Sequence, residues 1–181
     1  MKFISIRFGV ALLAANCALA LISGCASYSG SSLTPGQSSQ ADTRALMGEP
    51  AGKYTARGGE PFAESWEYPR GPAGRHTYMA RFDQAGKLVA IDQVLTVQTA
   101  ARIKIGSAKR DDVLAVLGRP GLISADRRGG EYWDYAAYAD DGVPRKIRLV
   151  VSFDKDGVAT AAGESYDPEE FSPNADGGTT Q

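Results

Sequence analysis

Histidine occurs once in the 181 residues, at His76, and cysteine only twice, at Cys17 and Cys25, both within the first 25 positions. A tetrahedral zinc site draws its ligands largely from histidine and cysteine, and a Cys-His nucleophile pair needs one of each side by side, so a single histidine with both cysteines confined to the N-terminal stretch makes neither expected. His76 reads instead as a strand surface or edge residue. Charge of one sign is also missing: 20 lysines and arginines face 21 acidic residues, without the basic excess of a nucleic-acid-binding domain. Gly58-Gly59 and Gly129-Gly130 lack the strand, glycine and helix context of a phosphate loop and read as turns. Asp111 and Asp112 are adjacent, and neighbouring helical residues point in different directions, so they form a solvated first turn and not an acid-base pair. No catalytic residue, cofactor or small-molecule substrate is expected.

What is present is clearest from Ala101 to Pro120. Ser107, just after Gly106, is placed to cap a helix, with Asp111 and Asp112 bringing negative charge to its positive start. Val113, Val116 and Leu117 fall at i, i+3 and i+4 and lay one apolar stripe along it. Gly118 suits the left-handed position after the last turn, and Pro120 stops any continuation. The run from Thr99 to Ile105 reads as a preceding short helix that turns at Gly106.

The same order of signals occurs once upstream. Gly36 to Gly48 and Gly106 to Gly118 are equal spans, and each second glycine is followed two residues later by a proline, Pro50 or Pro120. Arg57-Gly58-Gly59-Glu60 recurs as Arg128-Gly129-Gly130-Glu131, Trp66-x-Tyr68 as Trp133-x-Tyr135, and Phe82-Asp83-x-x-Gly86 as Phe153-Asp154-x-x-Gly157. Repeats of this kind describe a tandem. The expected fold class is α+β, with modules at 33–96 and 97–166, each about seventy residues and near the small end of what folds alone. Each should be two short helices followed by an antiparallel meander. Thr43, Leu46 and Met47 take the stripe positions of the first module. Tyr78, Ala80 and Phe82 should share a face, as should Ile147, Leu149, Val151 and Phe153, and these faces should lie under the helices. Trp66 and Trp133 are assigned to the cores, where aromatics bury the most area. The Asp-x-x-Gly turns suit a type I turn with glycine in a left-handed bulge position, joining these strands to 87–96 and 158–166. The opposite face, with Thr77, Met79, Arg81, Lys146, Arg148 and Val150, is a mixed surface able to meet water or a protein.

The long apolar run, Phe8 to Ile22, follows Lys2 and Arg7 with no acidic residue and is an export signal, residues 1–24. Leu21-Ile22-Ser23-Gly24-Cys25 resembles the bacterial lipobox; Cys17, preceded by Asn16, fits it less well, and a plain secretory signal is the alternative. The resemblance implies cleavage before Cys25 and its acylation, which leaves no cysteine for a disulfide. Three acyl chains exceed the two membrane signals that stable anchoring needs. Ala26, where lipoproteins held in the inner membrane carry aspartate, implies the outer membrane, periplasmic face. Losing Lys2 and Arg7 leaves 18 basic against 21 acidic residues, a net charge of −3. Residues 25–34 are small and polar and make a flexible tether. Residues 167–181 are acidic, small and polar and are expected to be disordered.

The second module resembles the BamE/SmpA family of outer-membrane lipoproteins. The resemblance rests on Ile103-x-Ile105-Gly106, Val113-x-x-x-Leu117-Gly118-x-Pro120, Trp133-x-Tyr135 and Phe153-x-x-x-Gly157. It covers residues 97 to 166 well and 33 to 96 more loosely. It implies two helices against a three-stranded antiparallel sheet in each module, and an accessory role in the β-barrel assembly machinery with affinity for phosphatidylglycerol. The family's asparagine-tyrosine segment after the lipidated cysteine has no counterpart in Ala26 to Gly36. Family contact positions fall here on Asp134, Ala136 and Tyr138, and after the helix on Arg119 and Gly121, with different residue types. The resemblance thus makes Cys25 the lipid attachment site and Arg119, Asp134 and Tyr138 the candidate partner contacts. Two other readings stay open. One is an envelope scaffold with another partner. The other is a tandem enzyme inhibitor like the β-lactamase-inhibitor proteins, whose modules typically carry the disulfide this chain lacks.

Overall fold

The computed structural model describes residues 27–56, 60–139, 141–142 and 145–166. The first half runs α1 (Gln40–Met47), β1 (Gly52–Thr55), β2 (Glu64–Arg70), β3 (His76–Phe82) and β4 (Leu88–Gln93). The second runs α2 (Val97–Ala100), α3 (Arg110–Leu117), β5 (Leu122–Ala125), β6 (Glu131–Tyr138), β7 (Lys146–Phe153) and β8 (Ala159–Tyr166). The strands form two four-stranded antiparallel sheets, each in sequential order.

Local chemistry sets the ends of these elements. The Ser39 hydroxyl accepts the Asp42 N–H at 3.2 Å while the Asp42 carboxylate accepts the Ser39 N–H at 2.8 Å, a reciprocal cap for α1. Gly48 ends it at φ 85°, its N–H donating to the Arg44 carbonyl. Seventy positions on, Asp112 accepts the Lys109 N–H at 2.7 Å, and Gly118 ends α3 at φ 80°. Asp83 accepts the Ala85 and Lys87 N–H groups, and Asp154 those of Asp156 and Val158, each at 2.9 Å. Gly86 and Gly157 follow at φ 73° and 72°, and the ladders shift register beside Phe82 and Phe153. This is the glycine bulge the two Asp-x-x-Gly segments imply.

Each sheet buries one face under helix. Met47, Trp66, Tyr68, Ala80, Phe82 and Leu88 form one core; Val113, Leu117, Trp133, Tyr135, Leu149 and Phe153 belong to the other. Trp66 packs on Phe82 and Trp133 on Phe153, both with ring centroids 4.8 Å apart. The first sheet is covered on its other face as well. Ser65, Glu67, Thr77 and Met79 are all buried there, Met79 inside the second core. Ala115 of α3 is buried too, and the Ser65 hydroxyl donates to its carbonyl at 3.1 Å. The layers therefore run α1, first sheet, α2 with α3, second sheet, and α3 is shared between two sheets.

Several expectations change. The sheets have four strands each and not three, because β1 and β5 add to the edges of β2 and β6; four residues after a proline carry too little alternation to read as a strand. The first half has a single α-helix, since residues 31–38 are spent in turns around Pro35 and Gly36. The helix expected over 99–105 is the single turn α2, capped by the Thr96 hydroxyl. Ser107 does not cap α3: its hydroxyl bonds the Lys104 carbonyl, and Lys109, held extended by a bridge to Val158, takes the cap position. The opposite face of the first sheet, expected to meet water or a protein, is covered by the second half. Gly129-Gly130 is the β5–β6 turn, and a Cβ on Gly130 would lie 2.2 Å from the Phe153 carbonyl oxygen. The Gly58-Gly59 pair, the N-terminal segment with Cys17 and Cys25, and the tail 167–181 lie outside the described residues.

Candidate partner interface

The best-developed polar site lies where the halves meet. Glu67 projects from β2 between the two core residues Trp66 and Tyr68, and alternation turns it toward the second half. Its carboxylate is buried and accepts from the Tyr54 hydroxyl at 2.5 Å, the Arg119 N–H at 3.1 Å and the Arg119 guanidinium at 3.4 Å. Arg119 follows the glycine that ends α3, so the cap itself delivers its N–H to Glu67. Close to it, the buried Tyr135 hydroxyl donates to the Gly118 carbonyl at 3.2 Å. Burial, reinforced by the Glu67 charge, pushes the Tyr135 hydroxyl well above its ordinary range. Burial and the bond to Glu67 push Tyr54 up as well, so both stay neutral donors. The Glu67 charge likewise raises Arg119.

A second set of contacts crosses the seam at the β2–β3 turn. β5 pairs with β6 only as far as Asp134, which leaves residues 135–138 of β6 as an edge that the first half covers. Arg75, buried, donates to the Ala137 carbonyl at 3.2 Å, and its guanidinium stands 5.7 Å from the Tyr138 ring centre. His76 packs against Tyr138 at 5.3 Å and its Nδ1 lies 2.7 Å from the Tyr28 hydroxyl. Between these contacts and the Glu67 cluster runs a cleft of about 350 Å³ whose walls include Glu67, Pro69, Thr77, Arg119, Gly121 and Ala136.

The structure thus gathers Arg119, Gly121 and Ala136 on one cleft, with Asp134 and Tyr138 flanking Ala136 along β6. Their states differ. The Arg119 side chain is 58% exposed although bonded to Glu67. Tyr138 is half-buried against the first half, and Asp134 is paired with Arg148 at 2.6 Å on the open face of the second sheet. Sequence reasoning missed Glu67, Tyr54 and Arg75. A carboxylate between Trp66 and Tyr68 in a core strand was the available clue, since a buried charge needs partners. Among the described residues no group of three or more His, Cys, Asp or Glu could hold a metal, and no helix is long and apolar enough to cross a membrane.

Comparison with family models decides what the second half is: residues 92–163 match the outer membrane protein assembly factor BamE domain. The second half carries a BamE domain. The match begins in β4, so the strand that closes the first sheet also leads into it. No curated protein and no solved structure matches the chain. The matched residues include α2, α3, β5–β7 and the first part of β8, hence Arg119, Asp134 and Tyr138, while the first half supplies Glu67, Arg75 and His76 to the seam.

Proposed function

We propose that the chain is a lipid-anchored accessory factor of outer-membrane β-barrel assembly that acts by holding partner subunits and not by turning over a substrate. The carrying observation is the BamE domain at residues 92–163, whose contact positions Arg119, Gly121 and Ala136 line one cleft. Residues 1–24 are the signal peptide, with Cys25 acylated and inserted into the periplasmic leaflet of the outer membrane; of the tether expected over 25–34, the described part from Ser27 on is packed on the first half, Ser27 donating its N–H to the Leu46 carbonyl and Tyr28 bonding His76. Residues 33–96 are a divergent BamE-like module, 97–166 the second, and 167–181 a tail. The shared cap chemistry of α1 and α3 and the equal Trp–Phe packing support the tandem reading. One observation favours a changed partner within this role: Arg119, a contact position in the family, is already bonded by Glu67.

The test is capture from crosslinked outer membranes. The wild type is expected to retain barrel-assembly subunits, and the combined Arg119→Ala, Asp134→Ala and Tyr138→Ala variant to fold, remain lipidated and lose them. Should the wild type capture none where an established accessory lipoprotein does, the protein is an envelope scaffold with another partner. Cys25→Ser should release a soluble form or leave uncleaved precursor; unchanged acyl labelling would refute the anchor.

A further inference from the structure

The two sheets have four edges: β1 and β4 in the first, β5 and β8 in the second. An edge strand offers its outward N–H and C=O groups to any other strand unless a charge, a proline or a covering segment guards it. β1 places Lys53 beside Trp66, its ammonium 4.5 Å from the indole centre. At β4 the N-terminal segment bonds both backbone groups of Leu88, through Gly36 and Ser38, and Asp92 follows along the strand. β8 carries Glu164, paired with Arg145 at 2.6 Å. β5, Leu122-Ile123-Ser124-Ala125, has none of these guards among the described residues. Ile123 stands beside Trp133 where β1 has its lysine. All four residues are exposed, Leu122 to 53% and Ile123 to 54%. The Asp126 N–H bonds the Gly130 carbonyl at 2.8 Å. Antiparallel positions alternate between bonded and unbonded, so Leu122 and Ser124 bond β6, and the N–H and C=O of Ile123 and Ala125 point away from the sheet.

We propose that β5 pairs antiparallel with β5 of a second copy about a two-fold axis at Ser124, joining two four-stranded sheets into one. Three observations select a second copy as the occupant. The first is register. With Ser124 against itself, Ile123 faces Ala125 of the second copy and Ala125 faces its Ile123, so the outward groups meet in two bonded pairs, each with a large side chain beside a small one. Arg119 then lies across from Gly129, and Arg127 from Gly121. An axis at Ile123 would set Arg119 against Arg127, and like charges directly opposite are unfavourable. An axis at Ala125 would set Arg127 against Ile123. The second observation is order. The edge is four residues long, between Pro120, which has no N–H, and the turn at Gly129, so it offers few bonds. A disordered segment would lose backbone freedom at every residue it added, whereas a second β5 is already extended. The third is direction. Ser27 donates its N–H to the Leu46 carbonyl of α1, so the chain enters on the α1 side of the layers. A two-fold running through the sheet at Ser124 keeps the layers of both copies the same way up, and both N-terminal segments emerge on one side. The contact is isologous and closes at the dimer. Leu122 falls across from Asp126, which limits the apolar gain and makes the dimer a weak one.

The chain from residue 25 on, carrying Cys25→Ser, has no cysteine and is followed by sedimentation velocity over rising concentration. It should pass from monomer to dimer and no further. Ile123→Lys gives β5 the lysine of β1, and Ala125→Pro deletes an outward N–H while the bonds to β6 stay; each should weaken dimerisation about tenfold or more. Ser124→Cys sets two thiols at the axis, where facing unbonded residues bring their Cα atoms to about 4.5 Å, and should give a disulfide-linked dimer under mild oxidation. Leu122→Cys, which faces Asp126 and not its own counterpart, should not. A protein monomeric throughout would overturn the proposal and leave the edge to a strand of another protein. Dimers that survive both Ile123→Lys and Ala125→Pro, or crosslinking at Leu122 as ready as at Ser124, would overturn it too. Circular dichroism of each variant separates lost association from lost folding. Arg119, Asp134 and Tyr138 are untouched throughout, so a chain that dimerises yet captures no barrel-assembly subunit refutes the proposed function and leaves the dimer standing.

Discussion

At the residue scale two buried tyrosines occupy matching strand positions with opposite consequences. Among the described residues the Tyr68 hydroxyl finds no hydrogen-bond partner, and burial pushes it up to about 12. The Tyr135 hydroxyl bonds the Gly118 carbonyl. An unsatisfied buried hydroxyl contributes nothing and costs its desolvation, whereas a satisfied one contributes about 1 kcal/mol. Tyr68→Phe is thus expected to be neutral or stabilising and Tyr135→Phe to cost about 1 kcal/mol in urea denaturation; the reverse order would contradict the hydrogen-bond assignment. Tyr54 and Tyr135 also set the alkaline limit. Unfolded tyrosine ionises near about pH 10, and both are raised in the fold, so their contribution is complete below that pH. It drains away as pH rises toward the folded values. Stability measured from pH 8 to 11 should fall above pH 10, and Tyr135→Phe should flatten that fall; equal slopes in the two proteins would refute the role given to burial.

At the element scale α3 is the part on which most depends. Its apolar stripe serves the second sheet, its small residue Ala115 serves the first, and its cap carries Arg119 to Glu67. Glu67→Ala removes a buried acceptor from the Tyr54 hydroxyl and the Arg119 N–H and is expected to cost about 2–4 kcal/mol. Arg119→Ala removes a mostly exposed guanidinium while its N–H still bonds Glu67, and should cost less than about 1 kcal/mol. Equal losses on thermal or urea unfolding would mean that the guanidinium, not the cap, holds the seam. The stripe of Val113, Val116 and Leu117 was legible because helical spacing is local. The burial of Ala115 was not, because nothing in eight residues says that a second sheet will arrive on the far side.

At the scale of the whole molecule the halves are not beads on a string. Met79, Val94 and Leu95 of the first half sit in the core of the second, and the first half covers the edge of β6 past Asp134. Unfolding of the mature chain should be one cooperative transition, and residues 97–166 alone should melt lower than the pair because Met79 and Glu67 leave with the first half. A fragment that keeps the full melting temperature would show that the shared layer adds no stability.

What short-range chemistry controls was legible along the chain. The glycine stops at Gly48 and Gly118, the Asp-x-x-Gly bulges and the alternation that turns Trp66 and Trp133 inward follow from contacts a few residues apart, whereas the caps at Ser39 and Lys109 were not read from the sequence, which offered Ser107. What crosses the chain waited for the fold: that β1 and β5 widen each sheet, that α3 is buried from both sides, and that Arg119 and Tyr138 stand at a seam between the halves, Tyr138 half-buried in it and Arg119 bonded to Glu67 with its side chain still largely exposed. A sheet face reads the same in sequence whether water or another layer covers it, and burial of Glu67 between Tyr54 and Arg119 depends on which layer that is.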